Sequence, residues 1–475
     1  MPVPRYRQIA DTLLEAIQSG ALRPGERLIS ARRLAEREQV SLPTAVEALR
    51  CLEAEGLVVA RPRSGYFVHR RDADDTLPSR PLGHPVPVTL SGLALSLFSR
   101  PEDRLIPLGA ALPDPTWLPT KELQGALRSA SLRLNARGQT YSVPPGRADL
   151  RRQIASRAVD WGGRFGPNDL IVTAGATQAV RLALRAVCKQ GDIVAIEQPA
   201  YFGTLLLLES LGLKALEVTT DPSLGLMIDE LEKAIARHRP AAVLCSPTTH
   251  NPLGACMSIA SKQDLVNLLD KAGIPLIEDD VYGDLAGESA RPSACKAFDA
   301  SGNVLYCSSV SKTLAPGWRI GWIAPGRFYD RVLQSRLAED WAGNPLLEAA
   351  TGDFLASGDY DRHLRRLKPK ILRSIRAISG RIAETFPEGT RVSRPAAGFL
   401  LWVELPRQID ALEVHSRARE AGIGISPGQL FSSQSGLSNY LRLNCANEPT
   451  PRLLRGVAKL GEICGRLATA NEATQ

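Results

Sequence analysis

The chain has 475 residues, a mass of 51.3 kDa and a formal net charge of +8 at pH 7, with 44% hydrophobic and 23% charged residues. That length exceeds one ordinary hydrophobic core and predicts two or more domains, while the basic charge permits nucleic-acid binding without requiring it. No apolar run approaches the roughly 20 residues that span a membrane, and the 8 cysteines lack the C-x-x-C spacing of a zinc site or a disulfide framework, so a reducing cytoplasm is expected.

The first residues carry no signal-peptide core. Ile9, Leu13 and Ile17 recur every four residues and predict a helix ending at Gly20. Pro24-Gly25 is a turn. Ser30 caps a short helix with Leu34 and Ala35, and Ser41 caps a third whose inner side holds Val46, Leu49 and Leu52 before Gly56 stops it. LVVARPRSGYFVH then predicts two short strands around a turn at Arg63, Ser64 and Gly65. Three small helices and a hairpin describe a winged helix-turn-helix. Its donors fall where such a head meets double-stranded DNA: Arg32 and Arg33 open the second helix, Ser41 and Thr44 open the third, and Arg61 and Arg63 flank the wing tip. Small winged domains also serve as protein-docking modules, so the residues alone leave both uses open.

The segments YRQIADTLLEAIQSGALRPGERL, RRLAEREQVS, TAVEALRCLEAEGLV and SGYFV resemble the N-terminal domain of GntR-type bacterial transcription regulators, over about residues 5–69. One departure stands out. That family commonly carries an arginine directly after the serine that opens the recognition helix, where this chain has Leu42 and then Pro43.

Residues 1–70 therefore form the expected DNA-binding head. From 71 to 105 the pattern breaks down, with prolines at 78, 81, 85 and 87 and no apolar periodicity, which predicts an extended tether. Ser91 to Leu97 is a candidate short helix docking it onto the large domain.

From Ile106 to Gln475, β-like apolar runs alternate with helical stretches: DLIVTAG, DIVAIEQPAY, KALEVTT, AAVLCSP and PLIEDD each precede a helix or turn. Helices are expected near Ile228 to His238 and near Asp264 to Ala272. The alternation predicts an α/β domain with a largely parallel sheet over about 106–330, whose ligands lie at the carboxyl ends of strands. GFLLWVELP and YLRLNCA predict a smaller α+β part over about 331–475.

Candidate functional residues fall at those strand ends. Lys312, in LYCSSVSKTLAPGWRIGW, offers an amine able to form a Schiff base with pyridoxal 5′-phosphate (PLP). Ser309 and Ser311 can donate hydrogen bonds to a phosphate and Arg319 can bind one through its fork of donors. By itself this stretch reads sooner as a solvated loop lysine before a strand. Gly175, Ala176 and Thr177 open a helix whose N–H groups can hold a phosphate. Tyr201 can stack on a flat ring, Asn251 can donate to a ring oxygen, Asp279 can pair with a protonated pyridine nitrogen, and the Tyr282 hydroxyl can bind the phenolic oxygen. Glu278, Asp279 and Asp280 have two rival readings, a magnesium site and plain strand-end solvation; alternation of faces along a strand argues against the metal. His250 reads as a loop histidine or a base.

In order, TAGAT, PAY, HNPLG, DDVY, SVSK, GWRIG and YLRLN resemble the series in fold-type I PLP-dependent enzymes of the aspartate aminotransferase class, over about residues 106–465. The resemblance implies Lys312 as the Schiff-base lysine, Asp279 at the ring nitrogen, and Tyr282 and Asn251 at the phenolic oxygen. It implies Tyr201 as the stacking ring and Ala176, Thr177, Ser309 and Arg319 as phosphate binders. Arg442 matches the arginine that takes a substrate α-carboxylate, and Tyr141 the tyrosine that reaches the phosphate of a neighbouring subunit, which implies a homodimer with shared sites. The whole arrangement resembles the MocR family of bacterial transcription regulators. A DNA-binding regulator that senses PLP, an amine or an amino acid, with an operator of two half-sites, is the expectation; a working aminotransferase with an appended winged domain is the alternative.

Overall fold

The computed structural model describes residues 4–18, 22, 26–54, 58–61, 65–68, 82–98, 105–286, 291–434 and 436–472. The chain divides into two compact units, Met1–Thr76 and Leu77–Gln475.

The first unit holds helices Arg5–Gln18, Ala31–Arg37 and Leu42–Ala54 and an antiparallel pair, Val58–Arg61 with Gly65–Val68. Both expected caps are made: Ser30 Oγ accepts from the Arg33 N–H at 3.4 Å, and Ser41 Oγ from the Thr44 N–H at 3.3 Å. Ile9, Leu13, Leu34, Leu49, Leu52, Val58 and Val68 form one core. The third helix approaches it closely because Ala45 and Ala48 are also fully buried, whereas Val46 is only half-buried. The expected stops at Gly20 and Gly56, and Arg63 and Ser64 of the turn, lie outside the described residues.

In the second unit, Lys214–Asp221, Ile193–Gln198, Ala242–Cys245, Leu276–Asp279 and Val304–Ser309 lie side by side in parallel. Gly321–Ala324 then runs antiparallel and pairs with Ile171–Thr173. Alternate residues of the same strands enter separate clusters. Val194, Ile196 and Leu244 pack with helix Ala176–Val187, while Ala195, Val218 and Val243 pack with helices Ile228–His238 and Ile259–Ala272. Burial of both faces is why these strands read as continuous apolar runs. It also brings the carboxyl ends of the parallel strands to one edge, where the site forms. Helix Ile259–Ala272 begins earlier than its apolar pattern suggested, because Ser258 Oγ caps it by accepting from the Ser261 N–H at 3.0 Å.

Two boundaries differ from the sequence reading. Within the stretch read as tether, Val86–Pro87 pairs antiparallel with Lys214 and Ala215. The short docking helix expected at Ser91 to Leu97 is present as Ser91–Phe98 and buries Ala94 in the large core, its start fixed by Glu209, which accepts from the Leu90 and Ser91 N–H groups at 2.8 Å. Prolines masked the buried Val88 and Leu90 there. The smaller part also starts later than residue 331. Helices Tyr329–Glu339 and Pro345–Ala356 cover the large part, since Val332 packs with Leu182, and Phe354 and Leu355 with Leu150 and Ile154. An amphipathic pattern shows that a helix has an apolar face but not which sheet covers it. The smaller part is the antiparallel sheet Arg391–Val392, Leu400–Glu404, Tyr440–Asn444 and Ser426–Pro427 under helices Asp359–Thr385, Ala411–Glu420 and Pro451–Glu472. No helix of the described residues is long and apolar enough to cross a membrane.

Candidate cofactor and effector site

Ten of the expected residues lie together. Ala176, Thr177, Tyr201, Asn251, Asp279, Tyr282, Ser309, Ser311, Lys312 and Arg319 line one cleft of about 790 Å³ at the carboxyl edge of the sheet. Strand Val304–Ser309 delivers the lysine loop and strand Leu276–Asp279 the carboxylate, in adjacent register. Lys312 Nζ donates to the Ala111 carbonyl at 2.8 Å and stands 5.8 Å from the centre of the Tyr282 ring. It is no solvated loop lysine. Burial, reinforced by the Arg442 and Arg319 cations and partly opposed by Asp279, lowers its amine to about 8.

Asp279 is pushed up to about 7, by burial first and by the neighbouring Asp280 second. Its Oδ1 and the Tyr282 hydroxyl are shielded from water and have no hydrogen-bond partner among the described residues. The two flanking carboxylates turn elsewhere. Glu278 accepts from the Cys295 and Lys296 N–H groups at 2.7 and 2.9 Å, while Asp280 pairs with Arg291 and accepts from the Tyr306 hydroxyl at 3.0 Å. The described residues contain no cluster able to hold a metal ion.

A cation and a helix N-terminus meet at one end of the cleft. Helix Ala176–Val187 opens after Gly175, whose φ of 83° is a left-handed conformation that favours glycine. A Cβ there would lie 2.4 Å from Arg319 Nη2. Arg319 donates to Ser311 Oγ at 3.5 Å and to the Ala174 carbonyl at 3.2 Å. Arg442 is buried behind the other end. It donates to the Gly109 carbonyl at 2.7 Å, Ser426 Oγ at 3.2 Å and Asn251 Oδ1 at 3.4 Å, with its guanidinium 5.0 Å from the Phe431 ring centre. Tyr141 is not in the cleft of its own chain; it is 77% exposed.

The sequence reading singled out His250 but missed its partner, Glu197. His250 Nδ1 accepts from the Leu253 N–H at 3.2 Å, which leaves the proton on Nε2, 3.5 Å from Glu197 Oε2. Burial lowers His250 to about 3, so it is neutral and no general base at pH 7, and burial raises Glu197 to about 8. Glu197 sits inside an apolar run, IVAIEQ, and only its inward position on a sheet buried on both faces would have flagged it.

In the winged unit, Arg32 and Arg33 are exposed at the start of their helix, and Ser41 and Thr44 share a 2.8 Å hydroxyl contact. Leu42 is 43% exposed, so the third helix presents an apolar side chain where a donor is common. Arg61 ends the first strand, and Arg63 lies outside the described residues.

The description "aminotransferase class I and II" matches residues 119–460, and "bacterial regulatory proteins, gntR family" matches residues 5–68. The uncharacterized HTH-type transcriptional regulator YjiR of Escherichia coli (strain K12) is 36% identical over 464 residues, covering 96% of this chain and 98% of its own. YdcR of the same organism, also described as an uncharacterized HTH-type transcriptional regulator, is 34% identical over 97% of this chain and 98% of its own. Among solved structures, LysN, an α-aminoadipate aminotransferase from Thermus thermophilus complexed with N-(5′-phosphopyridoxyl)-L-leucine, superposes with a TM-score of 0.72 at 25% identity, covering 81% of this chain and all of that one. A multiple substrate aminotransferase from Thermococcus profundus gives a TM-score of 0.73 at 24% identity over 81% of this chain and 96% of that one, a likeness of fold.

Proposed function

Because the chain belongs to the MocR family of bacterial transcription regulators, with a gntR-type winged head and an aminotransferase-like body, we propose that the body senses PLP, or an amine or amino acid that reacts with it, and sets the head's hold on DNA. The observation that carries this reading is a single cleft combining a buried amine near neutrality, a carboxylate and a tyrosine hydroxyl with atoms that find no partner among the described residues, and an arginine beside a helix N-terminus. That donor set fits PLP, which when bound supplies an aldehyde on an electron-withdrawing ring.

Each residue then has a task. With its amine near 8, roughly a tenth of Lys312 is unprotonated at pH 7, enough to bond an aldehyde carbon. Thr177, Ser309, Arg319 and the N–H groups from Ala176 hold the phosphate. Asp279 keeps a proton at the ring nitrogen, Tyr282 and Asn251 bind the ring oxygen, and Tyr201 covers the ring face. Arg442 grips a carboxylate through two parallel hydrogen bonds. Tyr141 reaches the phosphate site of a second subunit, so the working form is a homodimer whose two heads take two half-sites of an operator. A catalytically active aminotransferase is the second reading, favoured by the same near-neutral Lys312, which suits proton transfer.

Borohydride reduction of the PLP-reconstituted protein, followed by peptide mass mapping, tests the site. A pyridoxyl adduct is expected on Lys312 and absent from Lys312→Ala; an adduct on another lysine, or none, refutes the assignment. An amino-acid titration that changes DNA affinity without keto-acid release supports the sensor, and rapid keto-acid production supports the enzyme.

A further inference from the structure

The long helix Asp359–Thr385 carries a feature that the cleft does not use. At about 100° per residue, Arg362, Arg365, Arg366, Lys370, Arg373 and Arg376 fall within roughly 140° of arc and along about 21 Å of axis. Five of these side chains are exposed, and Lys370, half-buried, stands 5.8 Å from the centre of the Trp117 ring. Acidic neighbours neutralise only part of the face: Asp359 pairs with Arg362, Glu448 with Arg373, and Asp361 turns to Arg157 at 2.9 Å. Among the described residues, Arg365, Arg366 and Arg376 enter no ion pair. Arg362, Arg366 and Lys370 also line a cleft of about 730 Å³ together with Trp117 and two carboxylates, Glu122 and Asp359, so the surface is concave.

We propose that this face is a second DNA-contact surface, which binds the phosphate backbone in addition to the winged head. The inference rests on the DNA-binding reading above. Charge complementarity selects the occupant. Six cations repeated along one face suit a polyanion with evenly spaced charges. A second copy docked isologously would set cations against cations. A membrane surface would call for apolar side chains among the cations, and no large exposed hydrophobic residue lies on this helix. Arginine in particular binds phosphate through its fixed fork of donors.

The test is a KCl titration of affinity, by fluorescence anisotropy, for a duplex selected against the full-length protein from a random pool. The variants are Arg365→Ala/Arg366→Ala/Arg376→Ala and a control of equal charge change elsewhere on the body, Arg152→Ala/Arg164→Ala/Arg237→Ala. The first triple should make the salt slope shallower by about 2 to 3 for each subunit lying on DNA, and the control should leave it unchanged. The single charge reversal Arg366→Glu should act in the same direction and serves if the triple is poorly folded, with unchanged PLP absorbance as the check of folding. Wild-type slopes in the face variants, or equal changes in both triples, overturn the proposal. A wild-type protein with no affinity for any selected duplex overturns the DNA-binding reading itself.

Discussion

Replacing Asp279 by asparagine should stabilise the cofactor-free protein above neutral pH while weakening its grip on PLP. Burial and Asp280 push the carboxyl up to about 7 from an ordinary 3.8, and Lys312 pulls it only partly back. Between those two values the folded chain keeps a proton that the unfolded chain has lost. Stability therefore falls as pH rises through that window; the contribution is fully present below about pH 4 and gone above about pH 7. Each pH unit corresponds to about 1.4 kcal/mol, so the window spans about 4 kcal/mol. The protein around a buried charge polarises and relaxes, so its effective dielectric exceeds that of a dry interior and the working figure is roughly 2–3 kcal/mol. Asparagine does not titrate. The stability difference, variant minus wild type, should therefore grow by roughly 2 kcal/mol from pH 5 to pH 8, whatever constant penalty the buried amide adds. Urea unfolding of PLP-free protein, followed by tryptophan fluorescence across that range, measures it. Parallel pH profiles for the two proteins would refute the reasoning, because Asp279 would then be ionised throughout. Added PLP should stabilise the wild type more than the variant, since only the carboxylate can hold a ring-nitrogen proton.

Arg442→Gln should weaken α-amino acids by about 10- to 100-fold, the usual worth of a charge-assisted pair, while leaving amines without a carboxylate unaffected; absorbance titration of the PLP-loaded protein separates the two classes, and equal losses would remove Arg442 from carboxylate binding. Gly175→Ala places a Cβ 2.4 Å from the Arg319 guanidinium at a φ of 83°, so PLP retention on dialysis should fall at least about tenfold; unchanged retention would show that Arg319 relaxes without loss of its phosphate site.

Much of this molecule was legible from local signals because each had a local cause. Ser30 and Ser41 could be read as caps, since a cap hydrogen-bonds within three residues of itself. Strand ends gave Ala176, Asn251, Asp279 and Lys312, because a parallel sheet buried on both faces announces itself as apolar runs and exposes function only where they stop. The features that failed to show were set by distant partners. Val86–Pro87 reads as tether until its distant partner strand, where Val86 faces Ala215 and Pro87 faces Lys214, is seen to offer an open edge. Helices Tyr329–Glu339 and Pro345–Ala356 read as part of the smaller domain because nothing in their pattern names the core they cover. Glu197 was invisible for a related reason: a carboxylate inside an apolar strand looks like an interruption, whereas here it is buried against neutral His250.

The same cleft serves a sensor or an enzyme, so the difference must lie in the contacts that ligand binding displaces. Arg442 bridges the two parts of the body: Ser426 belongs to the smaller sheet, the Gly109 carbonyl lies against Ile425, and Asn251 belongs to the cleft loop of the large part. A carboxylate arriving on Arg442 competes with these bonds, of which the one to the Gly109 carbonyl, at 2.7 Å, is the shortest. An enzyme needs that exchange to be nearly neutral, so that product leaves as readily as substrate enters. A regulator needs it to differ in free energy between two arrangements of the body, because a ligand shifts an equilibrium only by its differential affinity for the two states. A chain of contacts runs from Arg442 to Gly83: Phe431, under its guanidinium, accepts at its carbonyl from the Ala200 N–H at 2.8 Å, and Ser432 and Ser433 bond the buried Glu217, whose own carbonyl accepts from the Gly83 N–H at 3.0 Å. A regulator of this build would use that chain of contacts, because a ligand that displaces the bonds of Arg442 in one arrangement of the body and not in another shifts the balance between the two.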